Sequence, residues 1–149
     1  MIMAKVERSV ISLRIGGDDL VPKEITTLLG VPPTYAHSKG EMGKHIVGPK
    51  IGDVRVAKSG MWRLEASPRE PEDMDSQIRE ILSQTTSDLS VWHGITKRYR
   101  VDLFCGLFVT GTDGGLTLSP ESLAALGERG IELGLCIYGG EDEEYDDRT

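Results

Sequence analysis

The stretch from Tyr99 to Thr110 constrains the fold most. Tyr99, Val101, Leu103, Cys105, Leu107 and Val109 fall at every second position, while Arg100, Asp102, Phe104 and Phe108 fall between them. Successive side chains of a β-strand point to opposite faces, so this run reads as a long strand with one face in a core. The same period recurs in Ser9 to Ile15, where Ile11, Leu13 and Ile15 alternate with Val10, Ser12 and Arg14. It recurs again in Met61 to Ala66, where Trp62, Leu64 and Ala66 alternate with Arg63 and Glu65. A last strand is expected over Ile131 to Tyr138, with Ile131, Leu133, Leu135 and Ile137 facing one way.

Helical periodicity separates these strands. Pro22 suits a first helical position, and Ile25, Leu28 and Leu29 make an apolar stripe that Gly30 ends. Met74, Ile78, Ile81 and Leu82 give an amphipathic helix within Pro71 to Thr85. Ser119 is placed to cap a helix that starts on Pro120 and stops at Gly127 or Gly130. The adjacent acids Asp18-Asp19 and Glu72-Asp73 read as turn and helix-start residues, because carboxylates satisfy the free N–H groups there.

Leu20-Val21-Pro22 with Ile25 and Leu28 also matches Leu118-Ser119-Pro120 with Leu123 and Leu126, a faint internal repeat. The expected fold is α+β, with two β-α-β halves forming a mixed or antiparallel sheet and helices on one face, a ferredoxin-like or related sandwich. The other sheet face then carries Arg14, Arg63, Arg100, Asp102, Phe104, Phe108 and Tyr138.

A chain of 149 residues can bury roughly two-thirds of its unfolded surface, so it needs no metal or disulfide to hold a core. Cys105 and Cys136 both lie in apolar stretches and are expected to be buried free thiols. Residues 141–149 hold six acids and one arginine, a charge of −5, which leaves −2 of the total −7 for the other 140 residues. The expected organisation is a single α+β domain over 1–138 and an acidic disordered tail over 139–149. No apolar run approaches the ~20 residues that span a bilayer. The first ten residues lack the apolar core of a secretory signal, so a cytoplasmic location is expected.

Residues 31–59 break the periodicity, with Pro32-Pro33, Gly40, Gly43, Gly48-Pro49 and Gly52 punctuating them. A connection this long is a functional loop or hides short strands. It gathers Thr34, Tyr35, His37, Ser38, Lys39 and Glu41, followed by His45, Lys50, Arg55 and Lys58. The candidate ligand-binding residues are therefore His37, Lys39 and Glu41, with Trp62 and Arg63 on the neighbouring strand. No catalytic residue, metal site or cofactor is assigned, because the glycine clusters lack phosphate-loop spacing and no nucleophile or metal motif occurs. Trp62 is expected to be buried beneath the long loop; the alternative puts it at the lip of a ligand site.

Several of these strings resemble one family. Ser9 to Ile15, Asp18-Asp19-Leu20, Pro22 to Ile25 and Leu28-Leu29-Gly30 are similar to the opening of a bacterial domain-of-unknown-function family, DUF4279. Thr34 to Glu41, Ser59 to Leu64 and Leu133 to Tyr138 extend the resemblance over roughly residues 8 to 138. It implies the α+β fold and a bacterial cytoplasmic setting, and it supplies no activity.

The function expected from these features is a non-catalytic protein-binding module, one concrete form being an immunity protein that neutralises a toxin. The alternative is a small enzyme or an anion-binding or ligand-binding protein using the His37/Glu41 loop. Single-stranded nucleic acid on the aromatic sheet face is the third class, and the net charge of −7 weighs against it because such binding rests on electrostatic attraction. The expected partner is another protein, with no membrane involved.

Overall fold

The computed structural model describes residues 6–43, 55–111 and 115–140. In chain order the strands are β1 (Val6–Gly17), β2 (Tyr35–His37), β3 (Met42–Gly43), β4 (Arg55–Val56), β5 (Gly60–Glu65), β6 (Arg100–Thr110) and β7 (Glu132–Gly140). The helices are α1 (Pro22–Leu29), α2 (Met74–Gln84), α3 (Leu89–Arg98) and α4 (Pro120–Arg129). Five strands form one mixed sheet in the order β2-β5-β1-β6-β7, while β3 and β4 pair by themselves.

Register decides which side chains meet the helices. Leu13 lies between Leu64 and Leu103, Ile15 between Trp62 and Val101, and Ile11 beside Cys105. All eight are buried. Ile25 and Leu29 of α1, Met74, Ile78 and Ile81 of α2, Trp92 and Ile95 of α3 and Leu126 of α4 complete this core. Each fully buried aliphatic side chain contributes about 1.5–3 kcal/mol relative to an exposed one.

The helix boundaries follow their capping residues. Asp73 accepts a hydrogen bond from Ser76 N–H, Asp88 from Ser90 N–H and Ser119 from Ser122 N–H. Both α1 and α4 begin at proline and close on a left-handed glycine, Gly30 at φ 81° and Gly130 at φ 77°. The repeat read from the sequence thus survives in the helix ends, but the strands around them pair differently. β1 and β5, the long strands before and after α1, are antiparallel with β2, β3 and β4 between them in sequence, whereas β6 and β7, which flank α4, are adjacent and parallel. That adjacency differs from the split β-α-β of a ferredoxin-like sheet.

Four sequence expectations change. Helix α3 was not anticipated. Leu135 and Ile137 share the helix-side face of β7 but are exposed, because the helix layer stops short of them. Cys136 is only half-buried, since β7 is an edge strand and Cys136 points to the uncovered face. The last strand also runs through Gly139 and Gly140, past the expected start of the tail. Residues 141–149, on which the acidic-tail expectation falls, lie outside the described residues. Among the described residues no helix is long and apolar enough to cross a membrane.

Candidate functional site

With every described helix on one side, the other side of the sheet is left, among the described residues, to its own side chains. Period 2 sends Tyr35, His37, Met61, Arg63, Arg8, Arg14, Asp102, Phe104, Phe108 and Tyr138 to this uncovered face. Neighbouring strands then set them beside one another. In one row, Tyr35, Arg63, Arg14 and Asp102 are cross-strand partners; in another, Arg8, Phe108 and Tyr138 are.

At the centre, Arg14 holds Asp102 in a two-pronged pair, with Nε donating to Oδ1 at 2.8 Å and Nη2 to Oδ2 at 2.7 Å. The same guanidinium lies 4.7 Å from the Phe104 ring centre. Toward β7, Arg8 lies 4.2 Å over the Phe108 ring, which stacks on Tyr138 at 4.9 Å and 21°. Arg8 Nε is buried and has no hydrogen-bond partner. A cleft of about 560 Å³ opens beside it, walled by Glu7, Glu70, Pro71 and Phe108.

Toward β2, the Arg63 guanidinium lies 5.0 Å from the Tyr35 ring centre, and Arg63 Nε sits 3.4 Å from Glu65 Oε2, within ion-pair range. The Tyr35 hydroxyl and His37 Nδ1 share a 2.9 Å hydrogen bond. Burial pushes the Tyr35 phenol above its usual range; the Arg63 charge opposes this and the Glu41 charge adds to it. Three arginine–aromatic contacts therefore run across the uncovered face. They can bury flat ring area and offer guanidinium N–H groups to a partner's oxygens.

A family model described as domain of unknown function (DUF4279) matches residues 7–140. The chain belongs to this family. No curated protein and no solved structure matches it.

The DUF4279 chain places its sequence-selected residues unevenly. His37 and Arg63 are on the uncovered face, flanking Tyr35. Glu41 lies just beyond β2 and accepts a hydrogen bond from Ser38 N–H at 3.0 Å. Lys39 points instead to the turn after β1, with Nζ 3.6 Å from Asp18 Oδ2. Trp62 is on the opposite side of the sheet, fully buried, and its indole donates to Thr26 Oγ1 at 3.1 Å. It has no surface to offer a ligand. His45 and Lys50 lie outside the described residues. The long connection resolves into β2, β3 and β4, the short strands that its length allowed. Among the described residues no group of three His, Cys, Asp or Glu side chains can hold a metal ion.

Arg8 is the residue that sequence reasoning missed. It precedes the clean alternation of Ser9 to Ile15 and is the last residue in register with β6 before an irregularity in the ladder between Val6 and Arg8. A strand pattern extrapolated backward by two from Val10 would have found it.

Proposed function

We propose that this DUF4279 chain is a non-catalytic protein-binding module that seats its partner on the uncovered sheet face. The observation that carries this reading is the line of arginine–aromatic contacts Arg63/Tyr35, Arg14/Phe104 and Arg8/Phe108/Tyr138 on a face that no described helix covers. Arginine and aromatic residues are the types that dominate binding energy at protein interfaces, because they bury large area and still carry directional donors. Arg8 Nε, buried without an acceptor, suits a partner that presents a carboxylate or carbonyl oxygen there. The partner of this reading is a protein surface with acidic residues around an apolar centre. A toxin neutralised by an immunity protein is one form of it, by analogy with other small acidic domains. The bacterial, cytoplasmic setting belongs to the same reading.

The test places a photo-crosslinking amino acid at Phe108 on the uncovered face or at Arg79 on the exposed side of α2, in cells that make the chain natively. One discrete adduct from the Phe108 position, lost when Arg8 and Arg63 are both changed to alanine, supports the reading. Adducts of equal yield from both positions, or none from Phe108, refute it.

A second reading, a small-ligand site at the β2 edge, draws on the Tyr35–His37 hydrogen bond beside Arg63. It requires a metabolite whose binding is lost in Tyr35→Phe and His37→Gln while the crosslink persists.

A further inference from the structure

A second cluster lies at the end of the sheet where α3 runs into β6. The sequence there is Lys97-Arg98-Tyr99-Arg100. Two clefts of about 430 Å³ each meet at Tyr99 and Arg100; one continues to Lys97, Arg98 and the Gly16-Gly17 turn, the other to Arg14 and Thr96. Lys97, Arg98 and Arg100 are all exposed, and none has an ion-pair partner among the described residues.

Two of the three acids lining the clefts are already engaged. Asp18 pairs with Lys39 at 3.6 Å and Asp102 with Arg14 at 2.7 Å, so Glu132 is the one acid lining the clefts that does not offset another cation. An uncompensated concentration of positive charge results, in a chain whose net charge is −7. Cations in a last helical turn complement the helix dipole, which accounts for Lys97 and Arg98. It does not account for Arg100, which lies on β6 beyond the helix.

Nor does it account for Tyr99. This residue is 6% exposed and lines both clefts, and its hydroxyl is buried with no hydrogen-bond partner. Arg98 stacks on its ring at 4.8 Å. An unpaired buried hydroxyl carries a desolvation cost that an incoming acceptor oxygen removes.

We infer that this junction is an oxyanion site that binds the phosphate group of a small molecule between Lys97, Arg98 and Arg100. Two guanidiniums and an ammonium match the several oxygens and double charge of a phosphate better than a single carboxylate. The clefts are of a size that holds a small metabolite. The site is independent of the docking reading, because it needs no partner and is measured on the isolated chain.

The experiment titrates the full chain with inorganic phosphate and with glycerol 3-phosphate at fixed ionic strength, following amide and arginine side-chain signals by NMR. Saturating shifts at Gly16, Gly17 and residues 97–100 are expected. The double variant Lys97→Gln/Arg100→Gln should weaken binding by about tenfold or more, while Arg79→Gln, an exposed cation elsewhere, leaves it unchanged. Equal affinity for both probes assigns the site to free phosphate, and tighter binding of the ester assigns it to a phosphorylated metabolite. Shifts that rise without saturating, or an affinity unchanged in a double variant that melts at the parent temperature, would overturn the inference.

Discussion

Ser9 of β1 and Gln77 of α2 close a hydrogen-bonded ring inside the core. The Ser9 hydroxyl donates to Gln77 Oε1 at 2.6 Å, and Gln77 Nε2 donates back to the Ser9 carbonyl at 2.9 Å. Both residues are fully buried, and Gln77 Nε2 also reaches the Ser67 carbonyl at 3.0 Å. The ring fixes how far α2 slides along the sheet, since a shift would strand these groups away from water. Gln77→Leu keeps the volume and removes the partners, so it should cost about 1–3 kcal/mol in urea unfolding. An unchanged midpoint would show that the ring adds nothing to stability.

The features legible in the sequence were those with a clean period. β1, β5 and β6 alternate because one face is buried, and that alternation, with that of β7, also names Arg14, Arg63, Arg100, Asp102, Phe104, Phe108 and Tyr138 as the opposite face. Helix α3 was illegible because it buries only Trp92 and Ile95, and Gly94 interrupts its stripe. Leu135 and Ile137 carry the period of a buried strand although nothing covers them, since periodicity records a face and not what packs on it. The candidate residues near His37 are neighbours in sequence. A three-residue strand then divided them, with Tyr35 and His37 on the uncovered face and Ala36 against the core. Trp62 and Arg63, adjacent in sequence, are separated by the sheet itself.

Trp62 is fully buried opposite Ile15 and Ala36, with its indole N–H satisfied by Thr26 of α1. Trp62→Ala should lose about 3–5 kcal/mol through lost transfer energy and a residual cavity. Thr26→Val removes only the acceptor and should lose about 1–2 kcal/mol. Thermal melts of both variants check this, and a Trp62→Ala protein that melts at the parent temperature contradicts it.

Gly139 and Gly134 lie on the same strand and should respond oppositely to alanine. Gly139 has φ 116°, and a Cβ there would collide with the Val109 carbonyl oxygen of the paired strand. Gly134 has nothing within 4 Å of its Cβ position. Gly139→Ala should cost about 1–3 kcal/mol from the backbone conformation alone, and Gly134→Ala should stay within about 0.5 kcal/mol of the parent. Denaturant midpoints of the two variants measure the difference.

Cys105 is buried on the core face of β6, and burial pushes its thiol up to about 12, with the Asp102 charge adding to the shift. In the unfolded chain a thiol ionises at about 8.5. Below that pH both states hold the proton and the thiol costs nothing. Above it the unfolded chain loses the proton first, so stability falls by about 1.4 kcal/mol per pH unit until the folded thiol also ionises. The stability difference between parent and Cys105→Ala should therefore shift against the parent between pH 9 and 11. A thiol reagent at pH 8 should label Cys136, which is partly exposed, and reach Cys105 only in denaturant.

Asp75 ties α2 to the start of α4. Its Oδ1 accepts from the Ser122 hydroxyl at 2.6 Å, the Ser119 N–H at 3.1 Å and the Ser119 hydroxyl at 3.3 Å. These bonds, the Ser122 hydroxyl foremost, hold the carboxyl below its usual range against the opposing effect of burial. A carboxyl depressed in the folded state binds protons more weakly there than in the unfolded chain. Its contribution is therefore complete above the unfolded value of about 3.9 and is lost as the pH falls below it. Asp75→Asn retains one acceptor oxygen but removes the charge, so it should cost about 1–2 kcal/mol at pH 7. The cost should be smaller at pH 2.5 than at pH 7, because protonation removes the parent's charge as the pH falls. Urea unfolding of parent and variant at the two pH values decides the matter, because a difference of the same size at both would mean that shape, and not charge, holds the two helices together.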